Sequence, residues 1–198
     1  MPPKCFWLSF SLICGVSFAS AQERTITLTT FSCTGSAEAL AAQPELRSPD
    51  RQWTLENESN VCADGQSVLW IRSARGDKRR IRQFSGSIQA QWAPDSRAFF
   101  LNVRESSDND TSYVIEPNTL QTSDLKKVLV ALHPASDQFT RAGHSYLSAS
   151  CWLNSRELLV RLNGHFDFPV VVFDRSYRVN LNGSGTQITD DSFVGCPR

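Results

Sequence analysis

The stretch Ser48-Pro49-Asp50-Arg51-Gln52-Trp53-Thr54-Leu55 decides how this chain folds. Ala93-Pro94-Asp95-Ser96-Arg97-Ala98-Phe99-Phe100 repeats it closely, and Leu153-Asn154-Ser155-Arg156-Glu157-Leu158-Leu159-Val160 repeats it loosely. In Ser48-Pro49-Asp50 proline presets φ for a turn, and the aspartate side chain can bond a backbone amide two residues on. An apolar strand follows each turn. A turn and strand that recur along the chain indicate stacked β units rather than one conventional core.

A second apolar run follows each copy at nearly constant distance. The separations are 20 residues from Asp50 to Trp70, 19 from Asp95 to Val114 and 18 from Asn154 to Val172. The third unit leaves its register open, because either Val170–Phe173 or Tyr177–Leu181 matches the Trp70 strand. Trp53, Trp70, Trp92 and Trp152 lie on or beside predicted strands, which favours a packing role.

One segment interrupts the β pattern. Leu125, Val128, Leu129 and Leu132 follow the i, i+3, i+4, i+7 spacing of one helical face. Thr122, Ser123 and Asp124 offer N-cap chemistry, and Pro134 lies past the end. The pattern predicts a short helix inserted between the second and third units. Nearer the N-terminus, residues 25–31 alternate as a strand does, and the Ala-rich residues 36–43 favour a short helix that ends before Pro44.

These motifs resemble a known family. Ser-Pro-Asp or Ala-Pro-Asp, an apolar strand, a Leu-Trp-Ile-like strand, a glycine turn and an Arg/Gln-Ile ending are similar to the WD40-like repeats of bacterial periplasmic β-propellers, the TolB type. The resemblance covers about Arg47 to Thr189. It implies an all-β fold of propeller-like antiparallel blades, one four-stranded blade per repeat. Closed propellers usually need at least four blades. Two outcomes fit three units: a ring whose fourth blade joins Thr25–Phe31 to the C-terminal tail, or an open arc.

The N-terminus indicates export. Residues 1–21 combine the positive Lys4, an apolar run from Cys5 to Phe18 and the small-residue ending Ala19-Ser20-Ala21. We expect this segment to be a signal peptide and residues 22–198 to be one repeat domain, periplasmic or secreted. No later stretch is long and apolar enough to predict a transmembrane helix.

Four cysteines follow the predicted signal peptide: Cys33, Cys62, Cys151 and Cys196. An even number in an exported protein favours two disulfides, and sequence allows three connectivities. We favour Cys33 with Cys62 and Cys151 with Cys196, because each pair then lies within or beside one unit. A four-cysteine zinc site is disfavoured since no Cys-x-x-Cys pair is present.

Charge is balanced overall but clustered in one place. The 20 Lys and Arg residues equal the 20 Asp and Glu residues, which argues against a polyanion binder, and we expect no nucleic-acid partner. The basic residues are clustered on one predicted hairpin. Their charges would discourage another strand from pairing with the edge of the sheet, or alternatively would form a patch for an acidic partner. We expect Arg80 and Arg82 to share one face of their strand, opposite Ile81. The cluster comprises Arg72, Arg75, Lys78, Arg79, Arg80 and Arg82.

Catalytic and metal motifs are absent from the sequence. His133, His144 and His165 are 11 and 21 residues apart, with no i, i+4 pair and no acidic partner at a known spacing, so we expect helix-end or loop positions. Asp108 and Asp110, with Thr111, offer oxygen atoms, but Glu116 is misplaced for a calcium loop. Nucleophile-elbow, phosphate-loop and dinucleotide motifs are not found. We therefore predict no catalytic residue, no metal site and no cofactor.

The sequence thus favours a non-catalytic protein-binding module of the cell envelope, whose partner is another envelope or secreted protein. Two alternatives stay open. One is a secreted effector or inhibitor that docks an acidic partner through the Arg-rich hairpin. The other is a periplasmic hydrolase with an unrecognised site, which would require one of the histidines to converge with Asp or Ser residues.

Overall fold

The computed structural model describes residues 27–32, 45–57, 66–104, 106–182, 184–188 and 196. Its strands form three consecutive antiparallel meanders, which we call blades one, two and three. The predicted all-β, propeller-like fold is therefore confirmed. The predicted signal peptide, the predicted helix at 36–43, Cys33 and Cys62 lie outside the described residues.

Blade one is a four-stranded sheet in the order β2-β3-β4-β5. Every pair of neighbours is antiparallel. Along β4, residues alternate between buried and half-buried, as expected for a strand with one face on a core. The strands are β2 (Glu45–Arg47), β3 (Trp53–Asn57), β4 (Ser67–Ser73) and β5 (Lys78–Phe84).

Blade two contains β6 (Ser87–Trp92), β7 (Phe99–Arg104), β8 (Asn109–Ile115) and β9 (Thr122–Asp124). The N-terminal strand β1 (Thr29–Ser32) pairs antiparallel with β6 and extends this blade. Of the two outcomes left open by the sequence, a fourth blade built from this strand and the C-terminal tail is not the one seen among the described strands. Within the described residues the sheets do not close into a ring, and the open arrangement is the one observed.

Blade three contains β10 (His144–Asn154), β11 (Glu157–Asp167), β12 (Val170–Asn180) and β13 (Ser184–Ile188). The two candidate counterparts of the Trp70 strand belong to one long strand, because β12 contains Val170–Phe173 and all of Tyr177–Leu181 except Leu181. A two-residue parallel pairing, Ser145 with Asn109 and Tyr146 with Asp110, joins β10 to β8. Blades two and three thereby form one continuous nine-stranded sheet.

The repeated turns have matching backbone geometry. Asp50 and Asp95 each accept a hydrogen bond from the backbone amide two residues on, and Asn154 does the same in blade three. Arg51 and Ser96 occupy the left-handed region, with φ of 62° and 64°. Blade three differs because Asn154 pairs directly with Glu157, which shortens its loop to two residues. The third copy of the repeat is therefore loose because its turn is shorter.

Two apolar cores lie between successive blades. One contains side chains from blades one and two, the other side chains from blades two and three. Trp92 and Trp152 are buried at the two interfaces and donate their indole N–H groups to the Leu46 and Gln91 carbonyl oxygens, each at 3.1 Å. Trp53 is half-buried and follows its turn, whereas Trp92 and Trp152 are buried and precede theirs.

The predicted helix is present between blades two and three. α1 spans Leu125–Leu132, and the Asp124 side chain caps it by accepting from the Lys126 and Lys127 backbone amides. Leu125 and Leu129 are fully buried against the second core. A single 3₁₀ turn and the short helix α2 (Asp137–Thr140) follow. None of the helices in the described segments has the length and apolarity to span a bilayer.

A polar contact joins blades two and three beside the parallel pairing. The Asn102 side chain donates to the Ala149 carbonyl and accepts from the Ala149 amide, each at 2.9 Å. Ser112, which is fully buried, bonds both Asn102 and the Leu147 carbonyl. The disulfide between Cys151 and Cys196 is formed, with Cα atoms 5.8 Å apart, which confirms that half of the predicted connectivity.

Candidate functional site

The Arg-rich hairpin is partly neutralised within blade one. Glu56 on β3 bonds Arg72 of β4 at 2.9 Å and Lys78 of β5 at 3.0 Å. Burial alone would raise the pKa of Glu56, but the hydrogen bonds and charges of Lys78 and Arg72 outweigh it and hold the pKa below its ordinary value. Two of the six clustered cations are therefore ion-paired within the sheet.

The rest of the cluster is divided between two faces. An irregularity between Leu69 and Trp70 places Arg82 opposite Leu69 and Arg80 opposite Trp70. Because Leu69 and Trp70 are adjacent in β4, they face opposite sides, and so do their partners. The prediction that Arg80 and Arg82 share a face is wrong for this reason.

Contacts agree with that division. Arg82 lies over the Tyr113 ring of blade two at 4.8 Å, and Arg79 lies over Trp53 at 5.4 Å. Arg79 also donates to the Pro117 carbonyl and, at 2.8 Å, to the Asn118 carbonyl. Arg79 and Arg82 thus join blade one to blade two. Arg75 lies exposed in the hairpin turn.

Two histidines come together at the other end of the molecule. His144 begins β10, His165 lies near the end of β11, and the two are directly paired across the hairpin. Their rings stack with centroids 4.0 Å apart at 17°. His133 is elsewhere, at the C-cap of α1 against Tyr177. The expectation of a helix-end position holds for His133 and is wrong for His144 and His165, which are strand residues.

Two carboxylates flank the stacked rings. Asp108 Oδ1 lies 3.1 Å from His144 Nδ1, and the Tyr146 hydroxyl lies 3.5 Å from the same nitrogen. Asp167 Oδ1 lies 3.6 Å from His144 Nε2 and 3.8 Å from His165 Nε2. His144 and His165 thus have acidic neighbours in space, although no acidic residue stands at a known motif spacing from them in the sequence. We call His144, His165, Asp167 and Asp108 the histidine cluster.

Two glycines make room for the histidine cluster. A Cβ atom at Gly143 would collide with the Asp167 carboxylate, and one at Gly164 would collide with the His144 carbonyl. Gly164 has φ of 154°, which side chains rarely adopt. Glycine at both positions therefore permits the close approach of the β11 end to the β10 start.

Asp110 does not join this cluster. It is the second residue of β8, and its Oδ1 is 3.7 Å from Arg104 Nε. Burial raises the pKa of Asp110 above its ordinary value despite the nearby charges of Arg104 and Lys126. Asp108 belongs to the preceding loop and contacts His144. The two aspartates considered for calcium thus have different neighbours.

An exposed apolar tip lies beside the histidine cluster. Phe168, Val170 and Val172 are 97%, 72% and 77% exposed. They occupy the β11–β12 hairpin, where Val172 pairs with His165 and Val170 with Asp167. Since directly paired residues share a face, the two valines lie on the same face as the cluster. We call Phe168, Val170, Val171 and Val172 the apolar tip.

Sequence reasoning missed the cluster because of hairpin irregularities. Asn154 pairs with Glu157, so an uninterrupted ladder would place His144 opposite Asp167. Two register shifts along β10 move the partner to His165 instead. Counting equal numbers of residues along both strands from the Ser155-Arg156 turn would have shown that His144 approaches residues 165–167. This count is the one signal of the cluster that the sequence carries.

No protein-family model and no curated protein matches the chain. Among solved structures, it is similar to the β-propeller domain of the trilobed protease from Pyrococcus furiosus, with 14% identity and a TM-score of 0.49 over 74% of this chain and 42% of that one. It is also similar to a chain from a study of two prolyl endopeptidases, with 12% identity and a TM-score of 0.46 over 81% of this chain and 22% of that one. The chain therefore spans less than half of each neighbour.

Proposed function

We propose that this chain is a non-catalytic protein-binding module, exported to the periplasm or beyond, whose contact surface is the apolar tip. The observation that carries the proposal is the exposure of Phe168, Val170, Val171 and Val172 at one hairpin. Large apolar side chains that cluster at the surface mark interaction sites more often than those scattered singly. The Cys151–Cys196 disulfide suits an oxidising compartment and supports export.

The partner we propose is an extended polypeptide segment of another protein. β13 pairs with β12 only along Ser176–Asn180, and in the described chain no strand covers the other edge of Val170–Arg175. Along a strand edge that lacks a neighbour, another backbone can match the N–H and C=O groups by adding a strand. The exposed valines then supply apolar contacts beside the new ladder.

The apolar tip suits this role better than the Arg-rich hairpin. Arg72 and Lys78 are ion-paired with Glu56, and Arg79 is used between blades one and two. Their charges are committed to contacts within the fold. At the apolar tip, by contrast, the side chains lie in solvent, so association would remove apolar surface from water.

The experiment compares three forms of the mature protein in capture from envelope extracts, followed by direct binding to each purified candidate. The test variant is Val170→Asp/Val172→Asp, and the matched control is Arg75→Asp/Arg80→Asp on blade one. Loss of two apolar contacts of roughly 1 kcal/mol or more each predicts at least about tenfold weaker binding for the test variant. The control should bind as the wild type does.

Two outcomes would overturn the proposal. Equal affinity of the wild type and the valine variant for every captured protein would remove the apolar tip as the contact surface. Selective loss in the arginine variant would favour the effector alternative. Sedimentation of the wild type supplies a further check, because self-association lost in the valine variant would assign the surface to a second copy.

A further inference from the structure

We propose that His144, His165 and Asp167 bind a divalent transition-metal ion of the zinc class, with Asp108 as the outer carboxylate that orients His144. One ligand atom from each of the first three residues lies within 4.8 Å of the others. The site goes beyond the proposed protein-binding role and is measured independently of it.

The spacing suits a single small ion. Zinc bonds of about 2.0 to 2.2 Å place tetrahedral ligand atoms roughly 3.4 Å apart. Asp167 Oδ1 is 3.6 Å from His144 Nε2 and 3.8 Å from His165 Nε2, so adjustments of a few tenths of an ångström close those two edges. Because the rings are stacked at 17°, both imidazoles must also rotate out of the stacked arrangement for their nitrogen lone pairs to point at one ion.

Asp108 supplies the second, independent observation. Metal-binding histidines usually direct their other ring nitrogen to a carboxylate or carbonyl, which fixes the tautomer. Asp108 Oδ1 lies 3.1 Å from His144 Nδ1, which leaves Nε2 for the ion. A carboxylate on each side of one imidazole is the arrangement expected of a carboxylate–histidine–metal relay.

The donor set selects the class of metal. Two imidazoles and one carboxylate suit zinc and its neighbours, whereas calcium and magnesium prefer oxygen alone and copper(I) prefers sulfur. The two histidine side chains are 31% and 37% exposed, so an ion can enter from solvent without unfolding. Three protein ligands leave a fourth position for water.

The backbone around the site is built for close approach. Gly143 and Gly164 leave room where a Cβ would collide with Asp167 or with the His144 carbonyl. His144 lies on β10, whereas His165 and Asp167 lie at the end of β11. An ion bound there cross-links the start of one strand to the end of the next, beside the apolar tip.

Calorimetry with zinc chloride on the untagged, oxidised mature protein tests the proposal. We expect one equivalent of zinc per chain. Loss of an outer carboxylate partner weakens metal binding by roughly 10- to 100-fold, and Asp108→Asn should weaken zinc binding within that range. His165→Gln removes a direct ligand and should weaken zinc binding by more than that. The control His133→Gln removes a histidine outside the cluster and should leave the dissociation constant unchanged.

Cobalt(II) absorption gives a readout that a merely structural effect would not move. A four-coordinate nitrogen and oxygen site should produce a visible band in the wild type and in His133→Gln, and lose it in His165→Gln while the far-ultraviolet dichroism is retained. The assignment would be overturned if the wild type and His165→Gln bound zinc with equal affinity, or if the wild type bound no zinc. The cluster would then consist of contacts between histidines and carboxylates alone. A variant that loses its dichroism is replaced by Asp167→Asn, for which the same outcomes apply.

Discussion

At the scale of single residues, two tryptophans show how neighbouring blades recognise one another. Trp92 and Trp152 each bury an indole and bond a backbone carbonyl of the preceding blade. Trp70 offers a contrast: its indole N–H is buried without a hydrogen-bond partner in the described structure. Trp92 and Trp152 therefore share a polar contact that Trp70 lacks in the part of the chain that the structure describes.

This difference predicts opposite responses to the same substitution. Trp152→Phe leaves the Gln91 carbonyl without its indole donor and should lower the free energy of unfolding by about 1 to 3 kcal/mol. Trp70→Phe removes an N–H that has no partner to lose, and should change stability by roughly 0.5 kcal/mol or less, or raise it. Urea unfolding of both variants measures the difference. Equal destabilisation of the two would contradict this account of the indole bonds.

At the scale of secondary-structure elements, Glu56 ties three strands of blade one together. It lies on β3 and bonds one cation on β4 and another on β5. Its side chain is only 14% exposed, so solvent screens the contact less than it screens a surface pair. Ion pairs on the face away from the core therefore stabilise this sheet.

Glu56→Gln should make stability less dependent on acid. The folded-state pKa of Glu56 is depressed below its ordinary 4.5, so its contribution is present above that value and is lost as pH falls through the folded pKa. We expect a loss of about 1 kcal/mol at pH 7, and a gap between the wild type and the variant that narrows as pH falls below 4.5 and through the folded-state pKa. Denaturant unfolding at pH 7 and at a series of lower pH values measures it. Glu45→Gln, which alters the more exposed carboxylate beside Arg72, is the control, and a gap that stays constant with pH would contradict the assignment.

Sequence predicted the elements that depend on local chemistry. The turns at Asp50, Asp95 and Asn154 and the helix capped by Asp124 follow from side-chain bonds to nearby backbone. The irregularities in β5 and β10 were not predicted, because a bulge depends on how two strands pack rather than on either strand alone. Those irregularities separate Arg80 from Arg82 and pair His144 with His165. The candidate site was therefore less predictable than the fold that holds it.

At the scale of the whole molecule, stability is distributed along a row of blades. Each core joins only neighbouring blades, and β1 reinforces the middle one. Blade three lies at the end of the row and is fastened by the Cys151–Cys196 disulfide, which spans 45 residues. Loss of that bond should therefore affect the end blade most.

Cys151→Ser/Cys196→Ser should lower the free energy of unfolding by about 3 to 4 kcal/mol, because a closed loop of this length restricts the unfolded chain. Hydrogen exchange should show the loss of protection concentrated in β10 to β13, since the disulfide joins Cys196 to Cys151 on β10 of this blade. Protection that falls equally in β2 to β5 would indicate that the blades unfold as one unit. A change in stability below about 1 kcal/mol would show that the disulfide contributes little.

The contact between blades two and three depends partly on a side-chain amide. Asn102 offers Ala149 one donor and one acceptor, as a peptide group on an adjacent strand would. Backbone hydrogen bonds between strands are retained through almost any exchange of side chain. The two bonds to Ala149 are lost, by contrast, if Asn102 is replaced by a residue whose side chain has neither a donor nor an acceptor. Replacing Asn102 would therefore remove two polar contacts between these blades, while the Ser112 bonds to Ala149 and Leu147 and the parallel backbone pairing of β8 with β10 would still join them.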